Sequence, residues 1–223
     1  MPRSRPGSAV AVGLTLSFAL AGCTFSFQSG PMLAGAGPVA TETRTVDSFD
    51  QVEADGGVRV QLTVGGPTSV QVTAQQNLLP ITTTVVANGK LTVRTTQSFS
   101  SSSGITVAVS TPTIKSISVN GGAATTAEGV SATDLDIAAD GGGVLSIAGT
   151  ADSLTLRANG GAVVDGSNFV ATNASVDLGG GASATVGVTS SATGSAGGGS
   201  TLNLLGNPPS VSVTASGGAS VKH

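Results

Sequence analysis

Leu154-Thr155-Leu156-Arg157-Ala158-Asn159-Gly160-Gly161-Ala162 is the stretch that decides the fold. Apolar and polar side chains alternate with a period of two, as in a strand with one face buried, and the run stops at two glycines. The pattern returns along the second half of the chain, with pairs at Gly121-Gly122, Gly141-Gly142, Gly160-Gly161, Gly180-Gly181, Gly198-Gly199 and Gly217-Gly218. Successive pairs lie 20, 19, 20, 18 and 19 residues apart. A fixed period of this length marks a repeat architecture, in which each unit buries its apolar face only by stacking on its neighbours.

Aligning the copies on their glycines gives one set of inward side chains per coil: Lys115, Ile117, Val119; Leu135, Ile137, Ala139; Leu154, Leu156, Ala158; Ala174, Val176, Leu178; Ala192, Gly194, Ala196; Val211, Val213, Ala215. All but Lys115 and Gly194 are apolar. A second alternation follows each corner, through Thr125 and Ala127, Leu145 and Ile147, Val164 and Gly166, Ala184 and Val186, and Leu202 and Leu204. Two strands joined by a Gly-Gly corner make one coil, so the expected fold is all-β: a single-domain, right-handed parallel β-helix with coils of about 19 residues. The last coil stops near His223 and leaves an open strand edge; a monomer blunted by Lys222 is expected, with end-to-end dimerisation as the alternative.

Upstream, Val58, Val60, Leu62 and Val64 alternate with polar residues, and Thr82–Val86 and Leu91–Thr95 flank Asn88-Gly89 as a hairpin with a type I′ turn. Asp55-Gly56-Gly57-Val58 reads as an earlier corner, and about three irregular coils are expected between it and Gly121. Ser98–Gly104 reads as a polar loop.

The N-terminus carries a processing signal. Arg3 and Arg5 precede the apolar run Ala9–Leu20, which is too short for the roughly 20 residues of a membrane-spanning helix. Leu20-Ala21-Gly22-Cys23 then resembles a bacterial lipobox, with the chain's one cysteine where the lipid is attached. The alternative is an ordinary secretory signal with an incidental cysteine. Processing would leave seven basic and twelve acidic residues, a formal balance of −5, and no second cysteine for a disulfide. The expected organisation is therefore signal peptide 1–22, lipidated flexible tether 23–43 and β-helical domain 44–223. Its expected location is the bacterial envelope, in the outer membrane or on the outer face of the plasma membrane according to cell type.

Charged residues make up only 9% of the chain, and its three lysines are Lys90, Lys115 and Lys222, which argues against a nucleic-acid surface. Lipobox, tether, the block from Asp55-Gly56-Gly57-Val58 through Leu78-Leu79 to Asn88-Gly89-Lys90-Leu91, and repeats such as Asn120-Gly121-Gly122-Ala123 and Ser216-Gly217-Gly218-Ala219 form one ordered series. Over about residues 46–221 that series resembles the bacterial family called putative auto-transporter adhesin, head GIN domain. The resemblance implies a β-helix exported to the envelope and brings no catalytic residues with it. No translocator barrel follows within the sequence, so self-transport is not expected.

Candidate chemistry is sparse. Asp134, Asp136, Asp140, Asp152, Asp165 and Asp177 fall on different coils, and Asp136, Arg157 and Asp177 come closest to a cluster, expected as a surface ion-pair ladder. Ca²⁺ on Asp134 and Asp136 is the weaker alternative to solvated carboxylates. His223 is the sole histidine, and Ser175, Ser183 and Ser195 have no evident base. Asn120, Asp140 and Asn159 precede three successive corners and are expected to form a side-chain ladder there. The reading is a non-enzymatic, adhesin-like envelope lipoprotein without catalytic, metal or cofactor residues. Its membrane contact is a lipid on Cys23, and its partner is a glycan, a surface or an envelope protein. The competing reading is a polysaccharide-processing enzyme, a lyase or glycosidase.

Overall fold

The structure is a computed structural model that describes residues 32–223; residues 1–22, read as a signal peptide, and Cys23 lie outside the described residues. In chain order the strands are β1 (Leu33–Ala34), β2 (Val39–Arg44), β3 (Gln51–Asp55), β4 (Arg59–Val64), β5 (Ser69–Gln75), β6 (Thr82–Ala87), β7 (Lys90–Thr95), β8 (Phe99–Ser100) and β9 (Thr106–Thr111). They continue with β10 (Ser116–Asn120), β11 (Ala124–Ala139), β12 (Val144–Ala158), β13 (Val163–Leu178), β14 (Ser183–Ala196), β15 (Thr201–Leu205), β16 (Ser210–Ala215) and β17 (Ser220–Lys222). Each of β11 to β14 runs from one glycine corner to the next and pairs in parallel with its neighbours, so the repeats form a parallel β-solenoid. Among the described residues no helix is long and apolar enough to cross a membrane.

The corners are tight turns. The N–H of Gly143 donates to the carbonyl of Asp140 (3.1 Å), that of Ala182 to Gly179 (3.2 Å) and that of Ser200 to Gly197 (3.3 Å). The first glycine of each pair has φ between 60° and 71°, a region closed to most side chains. Corners also bond to one another: Gly161 N–H to Gly141 O at 2.7 Å, Gly181 to Gly160 at 2.6 Å and Gly199 to Gly180 at 2.7 Å. The side-chain ladder expected of Asn120, Asp140 and Asn159 is not formed; no side-chain hydrogen bond joins them among the described residues. Without side chains at the glycines, backbones approach closely enough to carry the ladder themselves, and Asp140 and Asn159 stay in water.

Upstream of Gly121 the chain takes a different route from the series of coils expected. β3 and β4 stack directly on β10 and the first part of β11, so the Asp55-Gly56-Gly57 corner sits under Asn120-Gly121-Gly122. Gly65-Gly66-Pro67 turns the chain back after β4, with Gly65 at φ 100°. The slot between β4 and β5 is filled later by β9, parallel to β4 and antiparallel to β5. β7 lies beside β3, and its hairpin partner β6 forms the edge, with the turn at Asn88 (φ 53°) and Gly89 (φ 75°) as expected. Antiparallel β2 closes the other edge by pairing with β5. Hence Leu33–Ala34 and Val39–Arg44, assigned mostly to the tether, are strands of the folded body: β1 pairs with β8, inside the stretch read as a polar loop. Alternation marks which face a residue occupies but carries no information on the direction or identity of the neighbouring strand.

The inward columns form one continuous core from Phe49 to Leu204. Lys115 leaves it and pairs with Asp50 at 2.6 Å. Gly194 is exposed rather than inward, at φ 130°. Val211, Val213 and Val221 in the last coil are half-buried, with apolar neighbours on one side only. Two core hydroxyls, Thr125 Oγ1 and Ser200 Oγ, are buried without a hydrogen-bond partner. Thr125 sits in register between Val60 and Leu145. Thr125→Val removes an unpaired hydroxyl at nearly constant shape and is expected to stabilise the fold by about 1 kcal/mol. The check is a higher urea midpoint with an unchanged denaturant slope.

Candidate functional site

Strand alternation places every second residue outward, and parallel register stacks equivalent residues of successive coils about 4.8 Å apart. On the face preceding the corners, one outward row runs Ser116, Asp136, Thr155, Ser175, Thr193, Ser212. The adjoining row runs Ser118, Ala138, Arg157, Asp177, Ser195, Thr214. Together they make a broad polar sheet of hydroxyls with a few charges. Ser195 Oγ donates to Asp177 Oδ1 at 2.9 Å, and Ser191 Oγ to Asn173 Oδ1 at 2.7 Å.

Arg157 and Asp177 are register neighbours, as aligned from the repeats, but the expected ion-pair ladder is absent: no ion pair joins Asp136, Arg157 or Asp177 among the described residues. The Asp177 carboxylate is engaged by Ser195, and Arg157 projects into solvent. A shallow depression of about 290 Å³ is bordered by Thr155, Arg157, Ser175, Asp177, Gly194 and Ser195. Asp134 and Asp136 border a neighbouring groove of about 400 Å³ with Lys115. Among the described residues no group of three or more His, Cys, Asp or Glu is placed to hold a metal ion.

Ser175 and Ser195 lie on this face and Ser183 on the next, so the structure does not bring the three hydroxyls together. His223 is exposed at the far end of the chain. On the second face Asp165 accepts the Ser167 hydroxyl at 2.6 Å and the Ser167 N–H at 3.1 Å. These two bonds, the hydroxyl first, hold its carboxyl below the usual carboxylate range. A lowered folded-state pKa stabilises the fold above the unfolded value, and that contribution disappears as pH falls through the folded one. Ser167→Ala is expected to return the Asp165 pKa towards the ordinary value, read by carboxyl-carbon NMR titration.

A second surface had no signal in the repeats. Pairing of β1 with β8 brings Met32 and Phe99 to an open groove of about 650 Å³ beside the Gly56-Gly57 corner. Phe99 sits within a run of serines and carries no periodicity of its own.

Solved structures of the same fold include an adhesin described as putative from Bacteroides fragilis, at 18% identity and TM-score 0.69, covering 85% of this chain and 99% of that one. Another so described, from Parabacteroides merdae, has 16% identity and TM-score 0.58, with coverage of 86% and 99%. A protein from Parabacteroides distasonis described as a putative lipid binding protein has 14% identity and TM-score 0.52, with coverage of 86% and 100%. No curated protein matches the chain. Residues 48–208, from the strand before the first Gly-Gly corner to the turn after β15, match the model of the family described as putative auto-transporter adhesin, head GIN domain, and the chain belongs to that family.

Proposed function

We propose that this chain is an exported, lipid-anchored module of the bacterial envelope that works without catalysis, by adhesin-like contact of its polar solenoid face with glycan or envelope protein. The observation that carries this reading is the outward row from Ser116 to Ser212, one small polar group per coil in register on a parallel sheet. Single hydroxyl contacts are weak, and their repetition on a rigid lattice raises the affinity of a repeating ligand. Family membership supports the adhesin-like role.

The anchor rests on Leu20-Ala21-Gly22-Cys23. Cys23→Ala is expected to move the protein from the membrane to the soluble fraction of the envelope; unchanged fractionation would remove the anchor from the account. The soluble Cys23→Ala protein then serves for the test of contact. Incubated with acidic and neutral polysaccharides, with and without Ca²⁺, it is expected to be retained without generating reducing ends or unsaturated products. Appearance of either product would replace this reading with that of a polysaccharide-processing enzyme.

A further inference from the structure

We propose that the corner bearing Met32 and Phe99 is a lipid-contacting surface, seated on the bilayer that holds the Cys23 anchor. This rests on the reading of Cys23 as lipidated, and it specifies which part of the fold meets the membrane.

The first support is chain length. The Leu33 N–H donates to Ser98 O at 3.0 Å and the Gly35 N–H to Ser100 O at 2.7 Å, which ties β1 to the folded body. Only residues 24–31 separate Cys23 from Met32. At about 3.3–3.6 Å per extended residue, that segment reaches roughly 30 Å at most, less than half the reach of a tether extending to residue 43. A lipid on Cys23 would therefore keep the β1 corner within roughly 30 Å of the bilayer.

The second support is the chemistry of the groove. Met32, Gly56, Gly57, Gln97, Phe99 and Gly121 contribute no charge to it. Met32 is 59% exposed and Phe99 half-buried. A neutral rim around a thioether and an aromatic ring suits the headgroup boundary, where apolar side chains enter and hydroxyls and amides stay hydrated. Alone such a contact is weak; next to an anchor it acts at high effective concentration. Six coil steps of about 4.8 Å separate the Gly56-Gly57 and Gly217-Gly218 corners, which allows the last coil to stand roughly 30 Å beyond the first. Seating the β1 corner on lipid leaves the hydroxyl rows clear for other partners.

The test uses the full lipidated protein with a fluorophore on a single introduced thiol, either Gln97→Cys or Thr214→Cys, in phosphatidylethanolamine/phosphatidylglycerol vesicles carrying shallow nitroxide lipids. The same labelled positions in Cys23→Ala protein report contact without an anchor. The expected result is severalfold stronger quenching at position 97 than at 214 in vesicle-bound protein. Equal quenching at both positions, or none at 97, in protein that floats with the vesicles overturns the seated corner and leaves the anchor standing. Lipidated protein that fails to float with vesicles overturns the anchor and the corner together.

Discussion

Gly149→Ala is expected to cost about 3–5 kcal/mol and to lower the melting temperature by roughly 10 °C or more. Gly149 has φ 136°, and a Cβ there would lie 2.0 Å from the Val130 carbonyl oxygen and 2.8 Å from the Val130 N. Neither obstacle is a side-chain tip that can rotate away. Both belong to the adjacent coil, paired where the ladder between β11 and β12 shifts register, so relief requires parting two coils. Two other substitutions separate conformation from space. Gly122 has φ 87° with nothing within 4 Å of a Cβ, so Gly122→Ala is expected to cost only the left-handed strain, about 1–2 kcal/mol. Gly142 has an ordinary φ, and the nearest atom to its Cβ would be Gly122 Cα at 3.9 Å. Gly142→Ala is therefore expected to be neutral or stabilising by up to about 1 kcal/mol, through a less flexible unfolded chain. Thermal and urea unfolding followed by far-UV circular dichroism ranks the three. Equal losses at Gly149 and Gly142 would show that the close approach of coils does not govern stability.

The same glycines explain why so much of the solenoid is legible in the sequence. A corner whose first residue needs a left-handed φ repeats glycine there, and a strand with one buried face repeats its apolar positions. The columns at Ile117, Ile137, Leu156 and Val176 follow directly. Gly194 departs from the inward column because at φ 130° a Cβ would run into the Val176 carbonyl of the adjacent coil, a backbone conformation that alignment does not reveal. Less could be read before Gly121. The segment Val58–Val64 shows its buried face, yet nothing in it states that β9, more than forty residues later, will lie beside it. Likewise Leu33 and Phe99 each lie in polar or glycine-rich surroundings, and only their pairing builds the groove proposed to meet lipid. The charged trio Asp136, Arg157 and Asp177 shows the opposite limit. Register was readable from the repeat, but whether Asp177 takes a serine or an arginine depends on side-chain geometry that the repeat does not encode.

Phe169→Ala tests the part of the core that the period-two reading passed over. The third side of each coil, between the second strand and the return, contains the register shifts, and alternation breaks there. Phe169 lies on that side, fully buried and opposite Gly149. It packs beside Gly166: a Cβ on that glycine would stand 3.5 Å from Phe169 Cβ and 3.6 Å from Ile147 Cγ2. In a close-packed core the space left by a deleted ring is refilled only in part, so the cavity should persist. The expected cost is about 3–5 kcal/mol for Phe169→Ala and about 1–2 kcal/mol for Phe169→Leu. Because a solenoid unit contacts chiefly its neighbours, the loss should be local at first. Hydrogen exchange is expected to show protection falling in β12, β13 and β14 while β3, β4 and β9, several coils away, retain theirs. Uniform loss across all strands would mean that the capped N-terminal body and the repeats unfold as one cooperative unit, with Phe169 supporting the whole.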